Sequence, residues 1–212
     1  MQTVPTKKEL YAALCERHGE ELQKKFDRAC VAVCGLGGLG SNIAVSLARA
    51  GVGRLILTDF DRVDISNLNR QQYNISQLGM YKTEALKNTL LSFSPYCDIT
   101  IHTVRITEDN LSELLNDADI ICEAFDKPEQ KAMLVNGVSE QLPDKYLVAA
   151  SGMAGLGSSN TIKTRRVTRR FYICGDEQSD LSDGGLISAR VMLCAAHQAN
   201  MILRIIAGES EV

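Results

Sequence analysis

No Cys-x-x-Cys pair occurs anywhere in the chain. Its seven cysteines (Cys15, Cys30, Cys34, Cys97, Cys122, Cys174 and Cys194) are odd in number, which argues against a disulfide framework and a four-cysteine zinc site, so no zinc is expected. The histidines are few and scattered: His18, His102 and His197 make no metal pattern. Long apolar runs are missing too, and none approaches the ~20 residues of a membrane helix. No apolar leader follows Lys7, Lys8 and Glu9, so a cytoplasmic location is expected, with no membrane partner. Excess charge of one sign is lacking, since 23 Lys and Arg against 26 Asp and Glu leave a formal charge of −3. That balance disfavours a nucleic-acid partner held by bulk electrostatics, and none is expected. Internal repeats and low-complexity tails are likewise absent.

What remains is an ordinary composition, 45% hydrophobic and 23% charged over 212 residues, long enough to bury a core without staples. One unit is expected over 1–212, with an N-terminal helix at 6–26, a core at 28–150 and a C-terminal extension at 151–212. Leu10, Leu14, His18 and Leu22 recur every fourth residue and Phe26 extends the row, predicting a helix of about five turns. The apolar run Val31–Cys34 predicts a buried strand, Ser41–Ala50 a helix and Arg54–Thr58 a second strand. The polar stretch from Asp59 to Gly79 reads as a loop. Helices at 80–92, 109–116 and 129–141 then alternate with strands at 98–104, 119–124 and 146–150. Five β-α units with short connections predict an α/β fold, a Rossmann-like doubly wound, mostly parallel sheet covered on both faces. Beyond Ser151 the pattern predicts a hairpin (161–167 and 169–174), an acidic flexible loop (175–185) and a long apolar helix from Ile187 to Ile206.

The chemistry concentrates after the first strand. Gly35-Leu-Gly-Gly-Leu-Gly40 joins that strand to a helix, so backbone N–H groups and the helix start at Ser41 face an anion. Asp59, at the end of the second strand, stands where a carboxylate grips ribose hydroxyls. An NAD-dependent oxidoreductase would need only these two features. The loop carries more: Asn67, Arg70, Gln71 and then Lys82. Two cations near a nucleotide site suit a triphosphate, Arg through its planar fork and Lys as a point charge; spacing alone also allows them to be solvated surface charges.

These residues carry a resemblance. Gly35–Ser41, Asp59-Phe-Asp61, Ser66-Asn-Leu-Asn-Arg-Gln71, Gly79-Met-Tyr-Lys82 and Glu123-Ala-Phe-Asp126, in that order, resemble the ThiF/MoeB family of adenylyltransferases, relatives of the ubiquitin-activating enzymes. Ala149-Ala-Ser-Gly-Met-Ala-Gly155 is similar to the short, zinc-free branch called ThiF family 2. The resemblance implies ATP-dependent adenylation of the C-terminal glycine of a small ubiquitin-like sulfur-carrier protein ending in Gly-Gly, in thiamine (thiazole) biosynthesis. It implies that Gly35, Gly37, Gly38 and Gly40 form the nucleotide turn and that Asp59 holds the ribose, with Asp61 shaping the loop nearby. It further implies phosphate contacts from Asn67, Arg70 and Gln71, neutralisation of pyrophosphate by Lys82, and Mg²⁺ at Asp126, which could instead cap a helix before Pro128. A small activated carboxylate, including one on tRNA, fits the same class, and a nucleotide-binding protein without turnover is the non-enzymatic alternative.

Two expectations draw on the family pattern. A homodimer is expected because the long apolar helix from Ile187 and the N-terminal helix offer more apolar surface than one sheet covers; the family pattern adds Arg17 of the first helix as the candidate arginine that reaches a partner's ATP, an ordinary surface arginine being the alternative. Cys174, in Tyr172-Ile-Cys-Gly-Asp176 beside the acidic loop, is the candidate thiol for a covalent carrier link; Asp176 and Glu177 would oppose its ionisation, and a buried structural thiol or an incidental residue is the favoured alternative. His197 reads as a hydrogen-bonded core residue. The pairs Arg165-Arg166 and Arg169-Arg170 read either as a dock for an acidic surface or as solvated charges.

Overall fold

The computed structural model describes residues 4–212; the expected unit 1–212 thus includes three residues outside the described ones. The chain begins with two helices, α1 (Lys7–His18) and α2 (Glu20–Arg28). This corrects the predicted continuous helix over 6–26. Gly19 takes φ +91° and ψ 147°, outside the helical region, and its N–H closes α1 on the Cys15 carbonyl. The every-fourth-residue row of apolar positions runs through this break, so periodicity alone conceals it. None of α1's residues is fully buried, whereas α2 buries Gln23 and Phe26.

A seven-stranded sheet follows, with β1 (Cys30–Cys34), β2 (Arg54–Thr58), β3 (Asp98–His102), β4 (Ile120–Glu123), β5 (Tyr146–Ala150), β6 (Lys163–Arg166) and β7 (Phe171–Gly175). Its order is β3-β2-β1-β4-β5-β7-β6. All neighbours are parallel except the edge strand β6, which pairs antiparallel with β7 as the expected hairpin. The fold is the Rossmann-like doubly wound α/β sheet read from the sequence. β1 and β4 are adjacent although β2 and β3 lie on β1's other side, so the chain reverses direction between them. Crevices at such switch points, outside the carboxyl ends of the strands, hold ligands.

Helices cover both faces: α3 (Gly38–Ala50), α4 (Lys82–Leu91), α5 (Leu111–Leu115), α6 (Pro128–Gln141) and α7 (Ser188–Ala207). One core layer packs α3, α4 and α7 onto Val31, Val33, Leu55, Leu57 and Val148; the other packs α5 and α6 onto Ala32, Ile56, Ile121 and Leu147. Both faces of β1 are fully buried, which explains its continuous apolar run. The expected helix at 109–116 is shorter than its pattern, and no described helix is long and apolar enough to cross a membrane.

Candidate functional site

The strand β1 ends in a turn that only glycine allows. Gly35 has φ +90°, and a Cβ there would meet the Ala124 carbonyl oxygen at 2.8 Å and Phe125 Cδ1 at 2.9 Å. Gly40, in the first turn of α3, would bring a Cβ to 1.8 Å from the Gly35 carbonyl oxygen. The helix therefore sits directly on the turn. Gly37 caps it without any side-chain hydrogen bond, and the first intrahelical bond is donated by the Ser41 N–H to the Gly37 carbonyl. The amides at the start of the helix are left open toward the sheet edge, a ready site for an anion.

Asp59 fastens this turn to β2. Its Oδ2 accepts from the Leu36 N–H at 2.6 Å and its Oδ1 from the Asp61 N–H at 2.8 Å. A carboxylate has about four lone-pair positions, so it retains capacity for hydroxyl donors. Tyr73, buried, donates its hydroxyl to the Leu36 carbonyl at 2.8 Å from the other side. The expected loop at 59–79 contains two short 3₁₀ turns, Ile65–Asn67 and Ile75–Gln77. Asn67 is occupied in shaping the first of these, accepting from the Asp64 N–H at 3.1 Å.

The loop is held against α3 by amides the sequence reading passed over. Asn42 Nδ2 donates to the Gly38 and Arg70 carbonyls at 2.6 and 3.0 Å, and Gln72 Nε2 donates to Asn42 Oδ1 at 2.6 Å. Arg70 and Gln71 are thereby carried beside the glycine turn. Arg70 Nη1 donates to Ser66 O and Asn69 Oδ1, while its Nε is buried with no partner. Gln71 Oε1 is buried and equally unpartnered. Both groups carry hydrogen-bonding capacity that the protein does not fill, unusual for buried polar atoms. Lys82 is 6% exposed and pairs with Asp61 Oδ2 at 3.0 Å.

These elements enclose a cavity of about 940 Å³ at the carboxyl edge. Gly35, Gly37, Gly38, Asp59, Asp61, Asn67, Arg70, Gln71, Lys82 and Asp126 all line it. Gly40 stands behind it as the residue that lets α3 approach. Asp126 is exposed on the turn after β4; the cap of α6 is Lys127, with no side-chain bond, so Asp126 is not that helix's cap. No group of three or more His, Cys, Asp or Glu that could hold a metal lies among the described residues.

Two expected residues stand apart from the cavity. Arg17 is exposed and lines a second, smaller hollow with Leu14, Gly51 and Tyr96, at the amino edge of the sheet. Cys174 corrects the expected polar setting: it is fully buried in β7, and burial pushes its thiol up to about 11. Its polar neighbours in sequence belong to the next loop, whereas β7 turns Tyr172 and Cys174 together into the core. His197 meets the Thr164 hydroxyl at 3.1 Å, as its hydrogen-bonded reading requires. Of the arginine pairs, Arg165 is forked onto Glu177 and Arg166 and Arg170 donate to nearby carbonyls.

Two partly buried ion pairs escaped the motif reading. Glu123, fully buried at the end of β4, accepts from Lys131 Nζ at 3.0 Å through each oxygen and from the N–H groups of Phe125 and Ala150. A carboxylate closing the apolar run Ile120-Ile-Cys was the available signal, because a buried charge requires a partner. Arg190 on α7 pairs with Asp176, whose burial alone would raise its pKa. Hydrogen bonds from the Ser179 and Gln178 N–H groups, the Ser179 hydroxyl and Arg190 more than offset that and hold the carboxyl down at about 2.

A doubly wound sheet with a glycine turn, an edge carboxylate and inward cations at its switch point defines a Rossmann-like α/β protein with an anion-accepting crevice. The ThiF family model matches residues 11–212, and the chain belongs to that family. It is similar to the adenylyltransferase and sulfurtransferase UBA4 of Scheffersomyces stipitis, 30% identical over 193 residues that cover 88% of this chain and 43% of the relative. It is also similar to ubiquitin-like modifier-activating enzyme 5 of Caenorhabditis elegans, 45% identical over 87 residues, covering 41% of this chain and 21% of that protein. The chain thus spans less than half the length of these curated relatives. Among solved structures, the tRNA N6-threonylcarbamoyladenosine dehydratase TcdA of E. coli in complex with ATP superposes with a TM-score of 0.85 at 20% identity, covering 97% of this chain and 98% of that one. That likeness establishes the fold.

Proposed function

We propose that the chain binds ATP in the carboxyl-edge cavity and adenylates the C-terminal carboxylate of a small ubiquitin-like sulfur-carrier protein ending in Gly-Gly. The observation that carries this reading is the convergence of Asp59, Asn67, Arg70, Gln71, Lys82 and Asp126 on one cavity with the glycine turn. A dinucleotide oxidoreductase has no use for the inward lysine or for Arg70. The relatives named as adenylyltransferases support the reaction class, and the carrier is the finer part of the proposal. Sulfur delivery to the thiazole of thiamine is the narrowest form, supported by the resemblance alone.

In this reaction a carrier carboxylate oxygen attacks the α-phosphorus of ATP. The new O–P bond forms as the bond to the β-phosphate oxygen breaks, and pyrophosphate leaves with that electron pair. The carboxylate is already ionised, so no general base is required; the demand is alignment and charge stabilisation. The open amides at the start of α3 receive phosphate oxygens, and the spare lone pairs of Asp59 receive ribose hydroxyls. Lys82 exchanges Asp61 for the departing pyrophosphate, and Arg70 Nε and the Gln71 amide turn onto phosphate. Asp126 is the residue to hold Mg²⁺, which spreads phosphate charge when bound; a single protein carboxylate suits an ion that takes most of its ligands from phosphates and water. The functional particle in this reading is a homodimer.

The test combines the protein with ATP, Mg²⁺, labelled pyrophosphate and a panel of purified ubiquitin-like carriers ending in Gly-Gly. Label entering ATP only when a carrier is present is the expected result. Tight ATP binding with no exchange across the panel would overturn it.

A further inference from the structure

Leu156 is the most exposed large apolar residue of the described chain, at 84%. A lone exposed leucine is common and carries nothing by itself. What stands behind this one is not common. Arg190, 6% exposed, spends all five of its N–H donors on the loops around Leu156. Its Nε donates to the Ala154 carbonyl at 3.0 Å, and its Nη1 to the Gly157 and Ser158 carbonyls at 2.7 and 2.8 Å. Its Nη2 donates to Thr161 Oγ1 at 3.1 Å and to Asp176 Oδ2. Carbonyls on both sides of Leu156 are therefore fixed from within, and the Gly155 N–H is tied to the Gly185 carbonyl at 2.8 Å. Ser179 closes the network, bonded to Asp176 and accepting from the Ala154 N–H at 3.0 Å.

The same loops wall the cavity. Ser151, Gly152, Met153, Ala154 and Ser179 line it, and Leu156 follows Ala154 by two residues, a span of at most about 7 Å. A buried ion pair is an inefficient source of stability compared with apolar packing; what this one supplies is a fixed backbone that holds a large apolar side chain out in water two residues from the cavity wall. We infer that Leu156 is a docking anchor for the carrier protein, seating in an apolar hollow of that protein next to the flexible tail whose carboxylate enters the cavity, with Arg190 as the residue that positions it. This rests on the proposed adenylation of a carrier and adds where that partner is gripped. The anchor is apolar and the tail is held by its charge, so affinity for the carrier separates from affinity for ATP.

The experiment uses the full chain with Leu156→Asp, Leu156→Met and Arg190→Lys, the carrier panel above, ATP titration and pyrophosphate exchange at varied carrier concentration. Leu156 touches solvent, so its replacements leave the fold intact. For Leu156→Asp the expected result is a carrier half-saturation raised about tenfold, the scale of one interface anchor, with ATP affinity and the exchange rate at saturating carrier kept. Leu156→Met restores the wild-type value. Arg190→Lys, which keeps the charge but loses the fork, raises half-saturation in the same direction. An unchanged half-saturation for Leu156→Asp while the wild type exchanges overturns the anchor and leaves the adenylation reading standing. A weaker ATP affinity in step with the loss overturns it as well. A wild type that exchanges with no carrier removes both.

Discussion

At the level of single residues, the site separates groups that the sequence could name from groups it could not. Lys82 and Arg70 are nameable only as cations at a suitable spacing; their inward direction is set by Asp61 and by the Asn42 bonds that pull the loop onto α3, contacts between segments that no local pattern encodes. Replacing Lys82 with Ala should reduce carrier-dependent pyrophosphate exchange by roughly 10²–10³, the usual cost of one preorganised charge on a developing oxyanion. ATP affinity, measured separately by titration, should fall far less, since the turn and Asp59 remain. Equal losses in both would mean that Lys82 merely binds. Cys174 makes the opposite case. Its Gly-Asp-Glu neighbours suggested a mobile, polar thiol, but the alternation of β7 assigns it to the core, and desolvation raises its pKa to about 11. Cys174→Ala should therefore retain exchange activity, and the native protein at pH 8 should resist alkylation at this position by mass spectrometry. Rapid labelling, or loss of turnover in a folded variant, would restore a covalent role.

Elements were legible wherever local periodicity and packing agree. The parallel strands are buried on both faces and read as apolar runs, so the sheet and its helices follow from pattern. The row from Leu10 to Phe26 keeps its four-residue spacing while Gly19 breaks the backbone, so geometry at one residue overrides the periodicity of the whole row. The acidic composition of 175–185 predicts a flexible loop, which lies beside the loop at 151–161. In the structure Asp176 fastens them, accepting from Gln178, Ser179 and Arg190. Its folded-state pKa of about 2 lies below the ordinary value of 3.8. A depressed carboxyl contributes stability that is complete above its unfolded pKa and disappears as pH falls through the folded one. Denaturant unfolding should show roughly 2 kcal/mol lost between about pH 5 and pH 2. Asp176→Asn should start less stable at neutral pH and show a correspondingly flatter acid limb. A limb identical to wild type would mean that Asp176 does not fasten these loops.

For the molecule as a whole, the distribution of Arg17 and the cavity constrains any assembly. The cavity lies at the carboxyl edge and Arg17 at the amino edge, beside Gly51 and Gly53. Five-residue strands separate the two edges by roughly 16 Å at about 3.3 Å per residue, beyond the reach of one side chain. Arg17 can therefore act on ATP only from another copy, and a homodimer in which α1 approaches its neighbour's cavity is the arrangement that the loosely packed α1 permits. Mixing two inactive variants tests this directly. If Arg17→Ala and Lys82→Ala are each impaired as homodimers, random reassociation makes half the dimers mixed. Each mixed dimer keeps one site with its own Lys82 and the partner copy's Arg17, so about a quarter of wild-type exchange should return. Recovery to that level requires both a dimer and action in trans. An additive mixture with no recovery, in a sample that light scattering shows to be dimeric, would return Arg17 to the role of a surface arginine on a helix that packs only against its own chain.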